Sequence, residues 1–287
     1  MTADEFAKAS EIVAQNTHLP VIADADTGFG GLLNIRRTIQ LYEHAGVAGC
    51  HIEDQVFPKR CGQLKGKDVV DLQVYLERIR SAVEARTNPD FVIIARTDAR
   101  NAKSFGGDKA STEAFREGVK RLKEAMAAGA DVAFMESPRT KEEMSELVRD
   151  LAPHPVLINV AGCRFHLYIL SLPLSFDNFS ADMHQGLTGN LTTAECEELG
   201  FAAAIYPCTG FIPAMLAMQE SYKGLMDEGS DLKYCQGKTI VDFFEQLGLK
   251  EAMQFDERIW RAGRGTRCST RASSSRAEDI IAGLDMA

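Results

Sequence analysis

Three segments of this chain repeat one pattern, and that pattern leaves few folds open. AGVAGCHIE ends at Glu53, AGADVAFME at Glu136 and LGFAAAIYP at Pro207. Each begins where an amphipathic helix closes, at Gly46, Gly129 or Gly200, and the end of a strand follows seven positions later. Glycine closes a helix in the left-handed conformation, and a short apolar run behind it reads as a buried strand. PVIAD, FVIIAR and PVLINV, from Pro20, Phe91 and Pro155, are further apolar runs bounded by turn residues, which makes six strands. Helical stretches lie between them. TKEEMSELVRDL opens on a Thr140-x-x-Glu143 capping box and TTAECEEL on Thr192-x-x-Glu195, while Phe115, Val119, Leu122 and Met126 fall on one helical face. Strand and helix in strict alternation specify a parallel sheet covered by helices.

Polar residues gather at the C-terminal ends of these strands: Asp24, Asp26, Glu53, Asp54, Arg96, Asp98, Glu136 and Asn159. That rim holds the active site of a β/α barrel and is also the ligand side of a doubly wound sheet. Asp24 and Asp26 are two apart and point to the same side of their strand. An Asp-x-Asp pair alone is accounted for by capping of the next turn. With Glu53 and cations on the same rim, three carboxylates suit a hard cation, Mg²⁺ or Mn²⁺. Arg96 suits a substrate carboxylate through its planar fork, and an ion pair with Glu53 or Glu136 satisfies the same pattern equally well. Asn159 either donates to an oxygen or satisfies a loop carbonyl. The stretch from Thr27 to Gly31 lacks the lysine and spacing of a phosphate loop and reads as a turn.

HIEDQVFPKRCGQLKGK, residues 51 to 67, sets Cys61 behind Lys59 and Arg60 and before Gly62. Neighbouring cations favour a thiolate, which can give or take a proton. Glycines and charges around it argue against an inert buried thiol, the reading that fits Cys50 inside its strand. His51, also within a strand, reads as a satisfied core side chain, and the six histidines show no metal-ligand spacing.

Composition narrows the partners. The 287 residues, 45% hydrophobic and 25% charged, suffice for one α/β barrel or two smaller domains. A formal net charge of −9 argues against nucleic acid and anionic membrane surfaces, yet a local cationic cluster still admits anionic small molecules. Seven cysteines without a CxxC pair fit a reducing compartment. The start, MTADEFAKAS, has no apolar signal region, and HLYILSLPLSF is too short to span a bilayer, so a cytoplasmic location is expected.

PVIADADTGFGG, HIEDQVFPKRCGQLKGK and FVIIARTDA together resemble the isocitrate lyase/phosphoenolpyruvate mutase superfamily, in its methylisocitrate lyase, dimethylmalate lyase and oxaloacetate hydrolase branches. The resemblance implies a (β/α)8 barrel of the TIM type, as a homotetramer with an exchanged C-terminal helix. It implies Mg²⁺ (or Mn²⁺) held directly or through water by Asp24, Asp26 and Glu53. Arg96, Glu136 and Asn159 match positions that bind or orient the substrate carboxylate. Lys59, Cys61 and Gly62 fall on a mobile gating loop whose cysteine exchanges a proton with an enolate-like product. Gly186-Leu187-Thr188 resembles a substrate loop, with Thr188 as the contact. Gln63 stands where lyases of the group carry histidine, and Pro207 where the hydrolases tend to carry serine. The expected domain runs over residues 1–257, without the first two strand-helix units of relatives. Residues 163–185 form an atypical stretch, an insertion or a gene-model artefact, and 258–287 an Arg/Ser-rich disordered tail. The implied activity is Mg²⁺-dependent cleavage of a carbon–carbon bond in a hydroxy di- or tricarboxylate. Oxaloacetate hydrolysis on the same scaffold and an inactive truncated homologue are the alternatives.

Overall fold

The computed structural model describes residues 1–109, 111–161 and 191–265; Thr188 and the stretch 163–185 lie outside them. Helix α1 (Ala3–Gln15) opens on a reciprocal Thr2–Glu5 capping box. The alternating units follow: β1 (Ile22–Asp24), α2 (Leu32–His44), β2 (Gly49–Glu53), α3 (Leu72–Ala85), β3 (Val92–Thr97), α4 (Thr112–Ala127), β4 (Val132–Met135), α5 (Lys141–Leu151), β5 (Val156–Asn159), α6 (Thr193–Glu198), β6 (Ala203–Ile205) and α7 (Cys208–Glu228). All six expected strands are present. Every strand pairs in parallel with its chain neighbours, in the order β1-β2-β3-β4-β5-β6. A doubly wound sheet needs a reversal in that order, and none occurs. The architecture is the curled half of a TIM-type barrel.

Local chemistry explains the elements. Gly46, Gly129 and Gly200 close α2, α4 and α6 at φ +78°, +104° and +85°, the left-handed conformation that the repeat predicts. Thr192 and Glu195 cap α6 reciprocally. At α5 only half of the expected box forms: Thr140 accepts from the Glu143 amide, while the Glu143 carboxylate turns away to Arg100 and to the Arg139 amide. A guanidinium is a stronger partner for that carboxylate than a helix-end amide.

The sheet has two dissimilar faces. Its outer face carries Cys50, Ile52, Ile93, Ala95, Ala133 and Ile158 into the main core, beneath helices that contribute Ile35, Ile39, Tyr42, Ile79 and Leu122. Burying each large apolar side chain is worth roughly 1.5–3 kcal/mol, so this layer holds the sheet. The inner face carries a small separate cluster, Ile94, Phe134 and Leu157.

Residues up to Pro213 form one compact unit, and a second begins at Ala214. The second contains the rest of α7, then α8 (Ile240–Gln246) and α9 (Leu249–Gly265). The ring of Tyr234 packs directly on Gly224 there, where any side chain would collide with it. Helix α9 runs through residue 258 to Gly265, so the start of the Arg/Ser-rich tail is helical. Among the described residues no helix is long and apolar enough to cross a membrane.

Candidate active site

Strand alternation builds the site from the inner face upward. Residues 94, 134 and 157 face inward, so two positions on, Arg96, Glu136 and Asn159 stand above them at the rim. On β2, Cys50 and Ile52 point to the outer core, which turns His51 and Glu53 inward. Register then sets neighbours: Asp24 lies beside His51, Glu53 beside Arg96, and Arg96 beside Phe134. The Arg96 guanidinium lies 5.2 Å from the Phe134 ring centroid, and His51 meets that ring edge-on at 5.8 Å.

The three acids differ in their surroundings. Asp24 accepts the Asp26 amide at 2.7 Å, and the Lys59 ammonium lies 3.6 Å from its other oxygen while touching Asp26. Burial works against the Asp24 charge, but His51, Lys59 and the Asp26 amide outweigh it and hold its pKa below the usual value. His51 is itself pushed down to about 4 by burial, so near neutral pH Lys59 is the cation that steadies Asp24. Glu53 is wholly buried and neither of its oxygens has a hydrogen bond; the nearest cation is Arg96 Nε at 3.3 Å. Burial pushes its pKa up to about 8 despite the pull of Arg96.

A hard divalent ion fits this donor set. Buried oxygens of Glu53 and Asn159 lack hydrogen-bond partners, and the Lys59 ammonium stands against Asp24 and Asp26 beside them. Among the described residues no three His, Cys, Asp or Glu side chains form a ready cage. Mg²⁺ keeps several waters and takes few carboxylates directly.

Arg96 forms the ion pairs that its sequence allowed. Its Nε and Nη2 grip Asp98 at 3.0 and 3.3 Å, and it also faces Glu53 at 3.3 Å and Glu136 at 3.5 Å. Glu136 accepts Asn159 Nδ2 at 3.2 Å, Gln63 Nε2 at 2.5 Å and the Ser137 hydroxyl at 2.9 Å. Ser137 is buried at φ +61°, a left-handed backbone uncommon for serine, which sets it between Glu136 and Gln63.

Gln63 belongs to the loop from residue 57 to 66, which lies closed on the rim. Its base is clamped by Gln55, whose amide exchanges two hydrogen bonds with the Arg60 backbone, and by a bridge between Gln55 and Val69. A side-chain carbon at Gly62 would fall 2.5 Å from Arg96 Nη2 and 2.6 Å from Glu136 Cγ. Only glycine lets the loop sit this low. Cys61, next to it, is exposed. Its two flanking cations have partners of their own: Lys59 the acids, and Arg60 the Lys65 carbonyl at 3.4 Å.

The structure therefore brings Asp24, Asp26, Glu53, Lys59, Gly62, Arg96, Glu136 and Asn159 to one rim, with Cys61 on the loop above. Two sequence expectations change. His51 is not a satisfied core residue: its Nδ1 lacks a hydrogen bond and lies 3.5 Å from Asp24. Its period-two spacing from Glu53 was the available signal. Asp54, grouped with the rim acids, points away from them. It accepts Thr97 Oγ1 at 2.6 Å and the Asp98 amide at 2.9 Å and pairs with Arg121 at 3.2 Å, bracing β2 to β3 and α4. Lys67 is a site residue that no local pattern marked, and Gln63 stood out only through the family resemblance.

Comparison with known proteins agrees with this geometry. The family profile described as phosphoenolpyruvate phosphomutase matches residues 1–226. A 2,3-dimethylmalate lyase of Eubacterium barkeri is 34% identical over 257 residues, 89% of this chain and 78% of that protein. A probable 2-methylisocitrate lyase of Corynebacterium glutamicum is 34% identical over 268 residues, 92% of this chain and 76% of that protein. The solved structure of oxaloacetate acetylhydrolase with 3,3-difluorooxalacetate superposes with a TM-score of 0.72 at 33% identity, covering 94% of this chain and 79% of that one. With an acid-lined rim on sequentially ordered strands and relatives of this closeness, the chain belongs to the isocitrate lyase/phosphoenolpyruvate mutase superfamily of enzymes, in the branch that contains its carbon–carbon lyases.

Proposed function

We propose that this protein is a Mg²⁺-dependent (or Mn²⁺-dependent) lyase that cleaves a carbon–carbon bond in a hydroxy di- or tricarboxylate resembling 2-methylisocitrate or 2,3-dimethylmalate. One observation carries the reading. Both buried carboxylate oxygens of Glu53, without hydrogen bonds, share a rim with Asp24, Asp26, Arg96 and Asn159 beneath a loop that bears a thiol. Cleavage next to a carboxylate moves the bond's electron pair onto the adjacent carbon, and the hydroxyl carbon leaves as a carbonyl once its proton is lost. The divalent ion, held directly or through water by Asp24, Asp26 and Glu53, supplies positive charge to the carboxylate that gains electron density.

The chain's own residues do the rest. Arg96 and Asn159 receive and orient that carboxylate, and Glu136 holds both in place through one oxygen, Oε2. Lys59 adds positive charge at the rim, and by family resemblance Thr188 would be a further substrate contact. Cys61 returns a proton to the carbon that carried the broken bond. Loop closure excludes water while that carbanion-like centre exists. Exposed apolar side chains on α8 and α9, such as Phe243 and Met253, support a homo-oligomer, a tetramer by family resemblance.

Oxaloacetate hydrolysis is the second reading, favoured by the 33% identity to oxaloacetate acetylhydrolase; Pro207 speaks for the lyase. The test is to incubate the purified chain with 2-methylisocitrate, 2,3-dimethylmalate and oxaloacetate, with Mg²⁺ and with excess EDTA. Mg²⁺-dependent pyruvate from a hydroxy acid supports the lyase, and oxalate the hydrolase. No product from any of them would mark an inactive homologue.

A further inference from the structure

Lys67 closes the segment HIEDQVFPKRCGQLKGK, and it is only 2% exposed. Lysine is seldom buried so completely unless its charge is paired. Here the ammonium lies 3.1 Å from Asp98 Oδ1 and donates to the backbone carbonyl of Gly62, with its side chain and that of Asp98 fully shielded. The Lys67 backbone is fixed as well, its carbonyl accepting the Lys103 amide at 3.0 Å. So the residue is anchored at the loop's base and reaches upward to the one loop residue that presses on Arg96 and Glu136. Asp98, its other partner, holds Arg96 by two hydrogen bonds. An unbroken chain of contacts runs from the Gly62 carbonyl through Lys67 and Asp98 to the Arg96 guanidinium.

We propose that Lys67 is a positioning residue that latches the loop 57–66 shut and couples its closure to the aim of Arg96. The assignment of a catalytic consequence rests on the lyase reading above; the latch itself does not. Opening the loop takes the Gly62 carbonyl from a buried ammonium whose other partner, Asp98, is already shared with Arg96. Charge-assisted hydrogen bonds in shielded surroundings are about twice as strong as neutral ones. Gln63, which ties the same loop to Glu136 and Ser137, is a second fastening beside it.

The test is hydrogen–deuterium exchange, read by mass spectrometry on Lys67→Met and on the unaltered full chain, without substrate. Loss of the charged donor should speed exchange of the 57–66 peptide roughly 10- to 100-fold and leave the β2, β3 and β4 peptides unchanged. Lys67→Gln, which can still donate to the carbonyl, should recover part of that protection. Faster exchange throughout the sheet, or a Lys67→Met chain that does not fold, would make Lys67 a core-stabilising residue and overturn the proposal. Unchanged exchange in the loop would overturn it too. Activity is then scored separately: with any active substrate, Lys67→Met should lower kcat more than it raises KM. Exchange confined to the loop in a chain without lyase activity would keep the latch and reject the lyase.

Discussion

Replacing Gly62 by alanine offers a direct way to weigh loop closure against the rest of the fold. The added carbon would lie 2.5 Å from Arg96 Nη2 and 2.6 and 2.7 Å from Glu136 Cγ and Cδ. Comfortable carbon contacts begin near about 3.5 Å, so each approach is short by roughly 1 Å. The groups underneath cannot step aside, because Asp98 holds Arg96 and three donors hold Glu136. Forcing a methyl group into fixed surroundings costs about 1–3 kcal/mol. Gly62 has no left-handed φ, so the backbone itself accepts alanine and the whole cost falls on the closed loop. At about 1.4 kcal/mol per factor of ten, kcat/KM should fall roughly 5- to 150-fold, while the thermal midpoint holds. The assay pairs initial rates on the best hydroxy acid with a melting curve for the same preparation. Full activity in Gly62→Ala would show that the loop does not need to sit this low. A large drop in the midpoint would show that the loop supports the fold.

Excess EDTA should abolish turnover, and Asp24→Asn should weaken Mg²⁺ binding sharply, as followed by calorimetry. Glu53 has a folded pKa of about 8 against an ordinary 4.5, so its proton contributes stability that is complete below the lower value and lost as pH rises through the upper one. The metal-free midpoint should therefore fall between about pH 4.5 and about pH 8 and level off above, less so in Glu53→Gln, and Mg²⁺ binding at neutral pH should release a proton to an indicator dye. Iodoacetamide should label exposed Cys61 and spare Cys50, which is wholly buried with its pKa pushed well up by burial, and Cys61→Ser should lower kcat more than substrate affinity. Asp54→Ala, which leaves Arg121 paired with Glu117 and the Val70 carbonyl but takes the acceptor from Thr97 and the Asp98 amide, should cost about 1–3 kcal/mol in urea unfolding.

Most of the sheet and the acids of the rim were legible in the chain because they follow local rules. Gly46, Gly129 and Gly200 mark helix ends one by one, and Asp24 and Asp26 share a side through period two alone. What escaped depends on contacts between distant segments. His51 reads like any strand residue until register sets it beside Asp24. Lys67 looks like one more exposed lysine, since nothing nearby in the chain announces Asp98, 31 positions on, as its partner. Glu143 shows the opposite failure: a good local capping signal lost to Arg100, which the fold brings within reach. Thr188 and the apolar stretch 163–185 lie outside the described residues.

Glu53 and Asp54 are adjacent acids at the end of one strand, the first without a hydrogen bond to its carboxylate and the second held by three donors. Heritable variation at the two codons should then divide cleanly. Alleles at Asp54 should lower the amount of protein in the cell, worsening with temperature and answering to chaperones. Alleles at Glu53 should accumulate to normal levels and yet fail to support growth on whatever acid the enzyme consumes.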